Sequence, residues 1–266
     1  MTTNSDKKLA EKVIIVTGGT QGLGKGIALH LAQSGAMGLV ICGRNQQNGE
    51  KVAAALAEIG AAGLYVRADL PNEADCRQVV WACDEKFGRV DGLVNAAGVT
   101  TRGTLDDTSV ELWDYIFAVN ARAPFILMQE AVRVMKREGR GGSIVNILSM
   151  SSYGGQPFIT AYCASKGALA TLTKNAANAL RFDRIRVNGL NIGWTATDAE
   201  HEVQLAMGNP ENWLDLAEPK QPFKRLIRPL DVAKITAYLL SDDSEMMTGA
   251  IVDFDQNVMG GFDDTP

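Results

Sequence analysis

Short apolar runs rich in β-branched residues recur along the chain, each followed by a longer stretch with helical spacing of its apolar positions. "KVIIVTGG" predicts a strand, and the stretch from about Leu23 to Gln33, closed by Ser34-Gly35, predicts a helix. "GLVICGR" predicts a second strand, followed by an alanine-rich helix from about Gln47 to Ile59 that stops at Gly60. "GLYVRADL" is a third strand, "NEADCRQVVWACDEKFG" a helix with its own stop glycine, and "VDGLVNAAG" a fourth strand. One long helical stretch is predicted from Ser109 to Arg137, before a fifth strand at "GSIVNILSM". A helix containing "AYCASKGALATL" and strands at "IRVNGLNIG" and "AIVDFD" complete the alternation. Short buried strands separated by helices imply parallel pairing through right-handed crossovers, hence a doubly wound, seven-stranded α/β sheet in a single domain. The segment Trp194 to Pro222 lacks this periodicity and follows the sixth strand, at the end of the sheet where ligands enter such folds; it is expected to form a mobile lid.

Composition narrows the class. A chain of 266 residues, 46% of them hydrophobic, can bury a full core. We expect a polar tail over residues 1–10 and one domain over 11–262. The net charge of −5 and the lack of a long basic run argue against nucleic acid as a partner. No apolar run reaches the roughly 18 residues needed to span a bilayer, so no membrane partner is expected. The amino terminus lacks the apolar core of a signal peptide. The four cysteines, Cys42, Cys76, Cys83 and Cys163, form no CxxC and suit reduced thiols in a cytoplasmic protein. With only His30 and His201 in the chain, no metal site is expected.

Two stretches carry candidate chemistry. In "AYCASKGALATL", Tyr162 and Lys166 lie four residues apart, on one face of a helix. A lysine charge about 4 Å from the phenol, at an effective dielectric of ~20, would supply the roughly 4 kcal/mol needed to bring a tyrosine from about 10 to about 7. The spacing therefore suits a general acid/base tyrosine. In "TGGTQGLG", Gly18, Gly22 and Gly24 let the backbone approach a ligand and open a helix whose free N–H groups favour phosphate. The spacing is G-x-x-x-G-x-G, which is neither the common dinucleotide fingerprint nor a P-loop.

With these residues in hand, the chain resembles the short-chain dehydrogenase/reductases, from Lys12 to about Gly261. "TGGTQGLG" is similar to that family's TGxxxGxG turn, "NAAG" at Asn95–Gly98 to its NNAG motif, and "YCASK" to its YxxxK motif. Asp69 in "RADL", Asn120 in "FAVNARAPF" and Ser149, thirteen residues before Tyr162, fall where the family has functional residues. The resemblance implies a Rossmann-like fold. It implies hydride transfer between a nicotinamide and a carbonyl or alcohol carbon, with Tyr162 passing the proton. Lys166 would lower the tyrosine's pKa and hold the nicotinamide ribose, and Ser149 would bond the developing oxyanion. Asn120 would use backbone strain to hold a water linking Lys166 to solvent. The cofactor set implied is Gly18, Thr20, Gln21, Gly22, Leu23, Gly24, Arg44, Asp69, Leu70, Asn95, Ala96 and Gly98, with Tyr162, Lys166, Gly193, Thr195 and Thr197.

The second strand ends Cys42-Gly43-Arg44-Asn45, with no carboxylate to repel a 2′-phosphate and a guanidinium suited to one, so NADP(H) is expected over NAD(H). Candidate substrate residues are Thr100, Arg102, Ser151, Tyr153, Gln156, Trp194 and His201, with Met150 beside them; for His201 a solvent-exposed position is the preferred reading. Several can hydrogen-bond, which favours a small hydroxy/keto substrate such as a sugar or polyol. An alternative is a 3-oxoacyl-[acyl-carrier-protein] reductase, which would use basic residues such as Arg122 and Arg133 to Arg140. A third reading, a non-catalytic dinucleotide-binding regulator, predicts loss of a catalytic set that is present here. The family's Pro-Gly after the sixth strand is Ile192-Gly193, and its Asp-Gly-Gly near the carboxyl terminus is Asp255-Gln256-Asn257. The alanines along the Tyr162 helix suit close packing by a partner helix, hence a homodimer or homotetramer.

Overall fold

A computed structural model describes residues 7–260. The seven strands are β1 (Val13–Thr17), β2 (Gly38–Gly43), β3 (Ala62–Arg67), β4 (Gly92–Asn95), β5 (Gly142–Ile147), β6 (Ile185–Ile192) and β7 (Ile251–Phe254). They form one sheet of order β3-β2-β1-β4-β5-β6-β7, parallel throughout. This is the expected doubly wound architecture.

The helices are α1 (Gly22–Gln33), α2 (Gln46–Ile59), α3 (Glu73–Phe87), α4 (Val110–Phe117), α5 (Ala123–Glu138), α6 (Thr160–Leu180), α7 (Asp198–Ala206), α8 (Trp213–Ala217) and α9 (Pro229–Leu240). Both sheet faces are covered. On β1, Val13 and Ile15 join the core beneath α3 and α5, while Ile14 and Val16 join the core beneath α1, α2 and α9. Strand alternation thus feeds two cores from one continuous apolar run, which is why these strands show no polar face.

The chain order reverses at β1. Crossovers from β1 run outward to β2 and β3, then the chain returns to place β4 on β1's other side. The crevice beyond the carboxyl ends of β1 and β4 is where such a sheet receives a ligand. The predicted helix from Ser109 to Arg137 is interrupted: α4 and α5 are joined by a π-helical turn, Ala118–Arg122, with Asn120 at its centre. No helix among the described residues is long and apolar enough to cross a membrane.

Candidate active site

At the crevice, Thr17 ties β1 to the exit of β4. Its hydroxyl donates to the Val94 carbonyl (3.4 Å) and accepts from the amides of Ala96 (3.0 Å) and Ala97 (3.1 Å). Gly18 follows at φ +65°, and a Cβ on Gly24 would lie 2.3 Å from the Gly18 carbonyl oxygen. Only glycine lets α1 start this close beneath the turn. Asn45, Asn72, Ser109 and Thr197 cap α2, α3, α4 and α7 with their side chains, whereas Gln21 at the start of α1 does not. The first amides of α1 are thus not bonded by a side-chain cap, and a helix start in that state can take an anion.

Around this turn, a Cβ on Gly43 would press on Thr20. Arg44 is exposed and forms no hydrogen bond or ion pair among the described residues. Asp69 is exposed, with its amide donating to Asp75 (2.7 Å). The Leu70 side chain is buried in the core, so that position offers a ligand little beyond backbone. Asn95 is buried and donates to Asn146 Oδ1 (2.8 Å), bracing β4 against β5, while its own Oδ1 has no partner.

The sequence-predicted catalytic residues converge beside the crevice. Lys166 is buried and its Nζ donates to the Ile147 carbonyl (2.8 Å), 5.7 Å from the centre of the Tyr162 ring. Ser149 Oγ accepts from the Ser151 amide and donates to Ser151 Oγ, both at 3.1 Å. Asn120 is fully buried: Oδ1 accepts from the Val99 amide (2.9 Å), and Nδ2 donates to the Val99 carbonyl (3.0 Å) and to Ser165 Oγ (3.0 Å). It therefore pins the loop after β4 onto α6. Gly98 lies between, where a Cβ would sit 3.5 Å from Asn120 Oδ1 and 3.6 Å from Lys166 Nζ.

Burial dominates the electrostatics. It draws the Lys166 ammonium down to about 8 and pushes the Tyr162 phenol up. The neighbouring Ser149 hydroxyl and the charge of Arg102 pull the phenol back down, while Cys163 and Glu200 push it up. The Lys166 ammonium, 5.7 Å from the ring centre, is held there by its bond to the Ile147 carbonyl. A phenol held protonated at neutral pH is set to donate, the state carbonyl reduction needs.

The substrate side is more mixed. Ser151 donates to Gln156 Oε1 (2.5 Å), so these two predicted residues restrain each other. Tyr153 is half exposed and its hydroxyl donates to the Asp253 carboxylate (2.9 Å) on β7. Thr100 is exposed. Residues 194–222 form a folded flap. Trp194 stacks on Trp213 at 5.7 Å and donates to Glu200 Oε1 (2.8 Å), which also accepts from Gln204 (2.7 Å). His201 Nδ1 accepts from Trp213 Nε1 (2.8 Å), so the histidine is a strut within the flap. Thr195 bridges to Ile227 and donates to the Gly193 carbonyl, and Thr197 caps α7 by accepting the Glu200 amide (3.1 Å). Close by Gly193, a Cβ would strike Asp255.

Sequence reasoning missed Glu200, Ser165 and the Asn191–Asp253 pair (2.9 Å) behind Tyr153. Glu200 had a signal: Thr197-x-x-Glu200 is the S/T-x-x-E pattern of a helix start. Its side chain, however, goes to Trp194 and Gln204 rather than back to the cap.

A family model described as "Enoyl-(Acyl carrier protein) reductase" matches residues 18–258. The chain is 35% identical over 245 residues to the NADP-dependent (R)-specific alcohol dehydrogenase of Lentilactobacillus kefiri, covering 91% of this chain and 94% of that protein. It is 33% identical over 248 residues to a 3-oxoacyl-[acyl-carrier-protein] reductase of Thermotoga maritima, covering 93% and 98%. A crystal structure of a short-chain type dehydrogenase/reductase from Mycobacterium marinum superposes with a TM-score of 0.85 at 30% identity, covering 95% of this chain and 97% of that one.

Proposed function

The chain belongs to the short-chain dehydrogenase/reductase family and is an NAD(P)-dependent oxidoreductase, and on that premise we propose that it interconverts a secondary alcohol and a ketone on a small polar substrate, with Tyr162 as general acid/base. The observation that carries the reading is the half-buried Tyr162 on α6 with the buried Lys166 ammonium 5.7 Å from its ring centre and Ser149 beside it just past the end of β5. The nicotinamide, when bound, supplies or accepts the hydride. Tyr162 gives the proton to the substrate oxygen or takes it, and Ser149 donates to that same oxygen as negative charge develops on it. Lys166 holds a positive charge behind the phenol, and Asn120 keeps the loop after β4 seated on α6. The glycine turn Gly18–Gly24 and the uncapped start of α1 would hold the pyrophosphate. Asp69, the segment Asn95–Gly98, Gly193, Thr195 and Thr197 would hold the rest. The segment 194–222 serves as the lid.

The exposed, unpaired Arg44 at the end of β2 supports NADP(H) over NAD(H), and the L. kefiri relative is NADP-dependent. The carrier-protein reading has a relative in its favour. Against it, Arg133, Lys136 and Arg137 are already paired with Glu130, Asp183 and Asp84, which leaves Arg122 and Arg140 of that set for an acidic partner. The regulator reading is disfavoured by the assembled catalytic residues. The exposed small face of α6, at Ala168, Thr171 and Asn175, supports a homodimer or homotetramer, and the scattered free cysteines support a cytoplasmic setting.

Initial rates with ketoses, polyols and an acetoacetyl thioester, each with both cofactors, test this reading together with Tyr162→Phe. We expect Tyr162→Phe to lower turnover at least ~100-fold, the low end for a lost acid/base group. Near-full turnover in every assay would refute it, and a strong NAD(H) preference would refute the cofactor assignment.

A further inference from the structure

One cation on the substrate side, Arg102, has no hydrogen-bond or ion-pair partner among the described residues. Arg102 lies seven residues beyond β4 in a loop stitched to the entry of α6: the Gly103 amide donates to the Phe158 carbonyl (2.9 Å), and the Thr160 amide donates to the Gly103 carbonyl (3.0 Å). The pairing sets the Arg102 guanidinium 5.1 Å from the centre of the Phe158 ring, at the turn of α6 that carries Tyr162. Arg102 Nε is buried with no hydrogen-bond partner, and among the described residues the side chain forms no hydrogen bond or ion pair. Arg89 and Arg228 also bury an unbonded nitrogen, but each pairs with a carboxylate, Asp91 or Glu218. Stacking on Phe158 replaces only part of the hydration a guanidinium gives up. A half-buried cation left in this state gains most from an anion brought by a ligand.

Two further observations say which ligand. The Gly103–Ile159 bridge and the Phe158 stack set Arg102 beside the first turn of α6, on which Tyr162 lies, and its charge acts on the phenol. Glu200 acts on the same phenol with the opposite sign. Its Oε1 accepts from Trp194 and Gln204, while Oε2 has no hydrogen-bond partner among the described residues and is free to accept from a hydroxyl. One cation and one anion thus act on the phenol. A doubly charged phosphate ester would meet a single cation and be repelled by Glu200, whereas a single carboxylate is matched by Arg102 alone.

We propose that the substrate is a hydroxy acid bearing further hydroxyls, its carboxylate bound by Arg102 and a hydroxyl accepted by Glu200. This rests on the alcohol/ketone reading above and narrows its substrate class. The guanidinium's planar fork suits a carboxylate bound through two oxygens, and Phe158 keeps that fork from turning.

The test uses the full chain with NADP+ and the aldonates of glucose, galactose, mannose and xylose, each against its own alditol, with the matching sugar phosphates as a third arm. In at least one pair we expect kcat/KM for the aldonate to exceed that of the alditol by ~10-fold or more. Arg102→Gln should cut that ratio ~10-fold or more, chiefly through KM, and Arg102→Lys should restore part of it. Aldonate binding to the holoenzyme, followed by tryptophan fluorescence through Trp194, should weaken in step. Equal or better use of alditols in every pair, better use of the phosphates, or an acid preference that survives Arg102→Gln would overturn the proposal while leaving the alcohol/ketone reading intact. If no secondary alcohol of any kind is oxidised and Tyr162→Phe changes nothing, that reading falls, and this inference with it.

Discussion

Lys166 has an ordinary pKa of 10.5 that burial draws down to about 8, so the folded protein holds this proton less tightly than the unfolded chain does. Below pH 8 the fold must keep a charge in its interior; as pH rises from 8 toward 10.5 that burden is relieved. That difference corresponds to about 3 kcal/mol that the fold forgoes at neutral pH. Lys166→Met would remove the charge and fill the space, at the loss of a hydrogen bond to Ile147 worth about 1 kcal/mol. We expect the variant to be inactive yet to melt a few degrees above the parent at pH 7, with the gain shrinking between pH 8 and 10.5. Thermal melts of both proteins across that range check the sign: a variant less stable at pH 7 than at pH 10, relative to the parent, would contradict it. The one-turn spacing of Tyr162 and Lys166 was legible in the sequence because helical periodicity dictates it. That Lys166 extends to Ile147 was not, since it depends on where β5 ends across the sheet.

At the scale of elements, what could be read and what could not divide along the kind of contact that holds each one. Strands and helices packed on the sheet bury apolar stripes, and those stripes appear in the sequence as period and run length. The π-helical turn around Asn120 keeps the apolar pattern of a continuous helix, so its extra residue leaves no trace in periodicity. Only the three hydrogen bonds made by the buried Asn120 side chain show what the turn is for. The flap is held by polar and aromatic contacts between α7 and α8, chiefly Trp194 on Trp213, Trp213 to His201, and Glu200 to Trp194. Such contacts have no repeat to detect. Because the flap lies outside the two sheet cores, it is expected to open without global unfolding. Trp213→Phe keeps an aromatic ring but deletes the bond to His201, and the loss of about 1 kcal/mol should raise flap opening roughly fivefold. Tryptic cleavage at Lys220, Lys224 or Arg225 should accelerate by about that factor, with the global melting temperature within a few degrees of the parent. An unchanged cleavage rate would mean that the His201 bond does not hold the flap.

Across the whole molecule, the helices that hold the catalytic groups on their inner faces leave apolar or small residues outside. α4 and α5, either side of Asn120, expose Val110, Trp113 and Phe125, with Trp113 stacked on Phe117 at 4.7 Å. A cavity of about 500 Å³ opens on the same face, between Asp114, Phe117, Ala118, Ala121 and Arg122. α6, which carries Tyr162 and Lys166, exposes Ala168, Thr171 and Asn175 along one stripe. Apolar side chains at this exposure gain from being covered, and a stripe of small residues admits a second helix at close range. If two copies of the chain meet through these faces, association also steadies Asn120 and Lys166 from behind. Phe125→Glu would place a charge on the covered face, and Ala168→Glu would block close helix approach. Light scattering during gel filtration should give the parent a mass of two or four times 28.5 kDa and each variant a smaller multiple. Specific activity should fall with the mass, and in the variants it should rise with protein concentration as mass action restores the assembly. A parent that runs at 28.5 kDa with full, concentration-independent activity would show that one copy holds its own active site in place and that these outer faces meet only solvent.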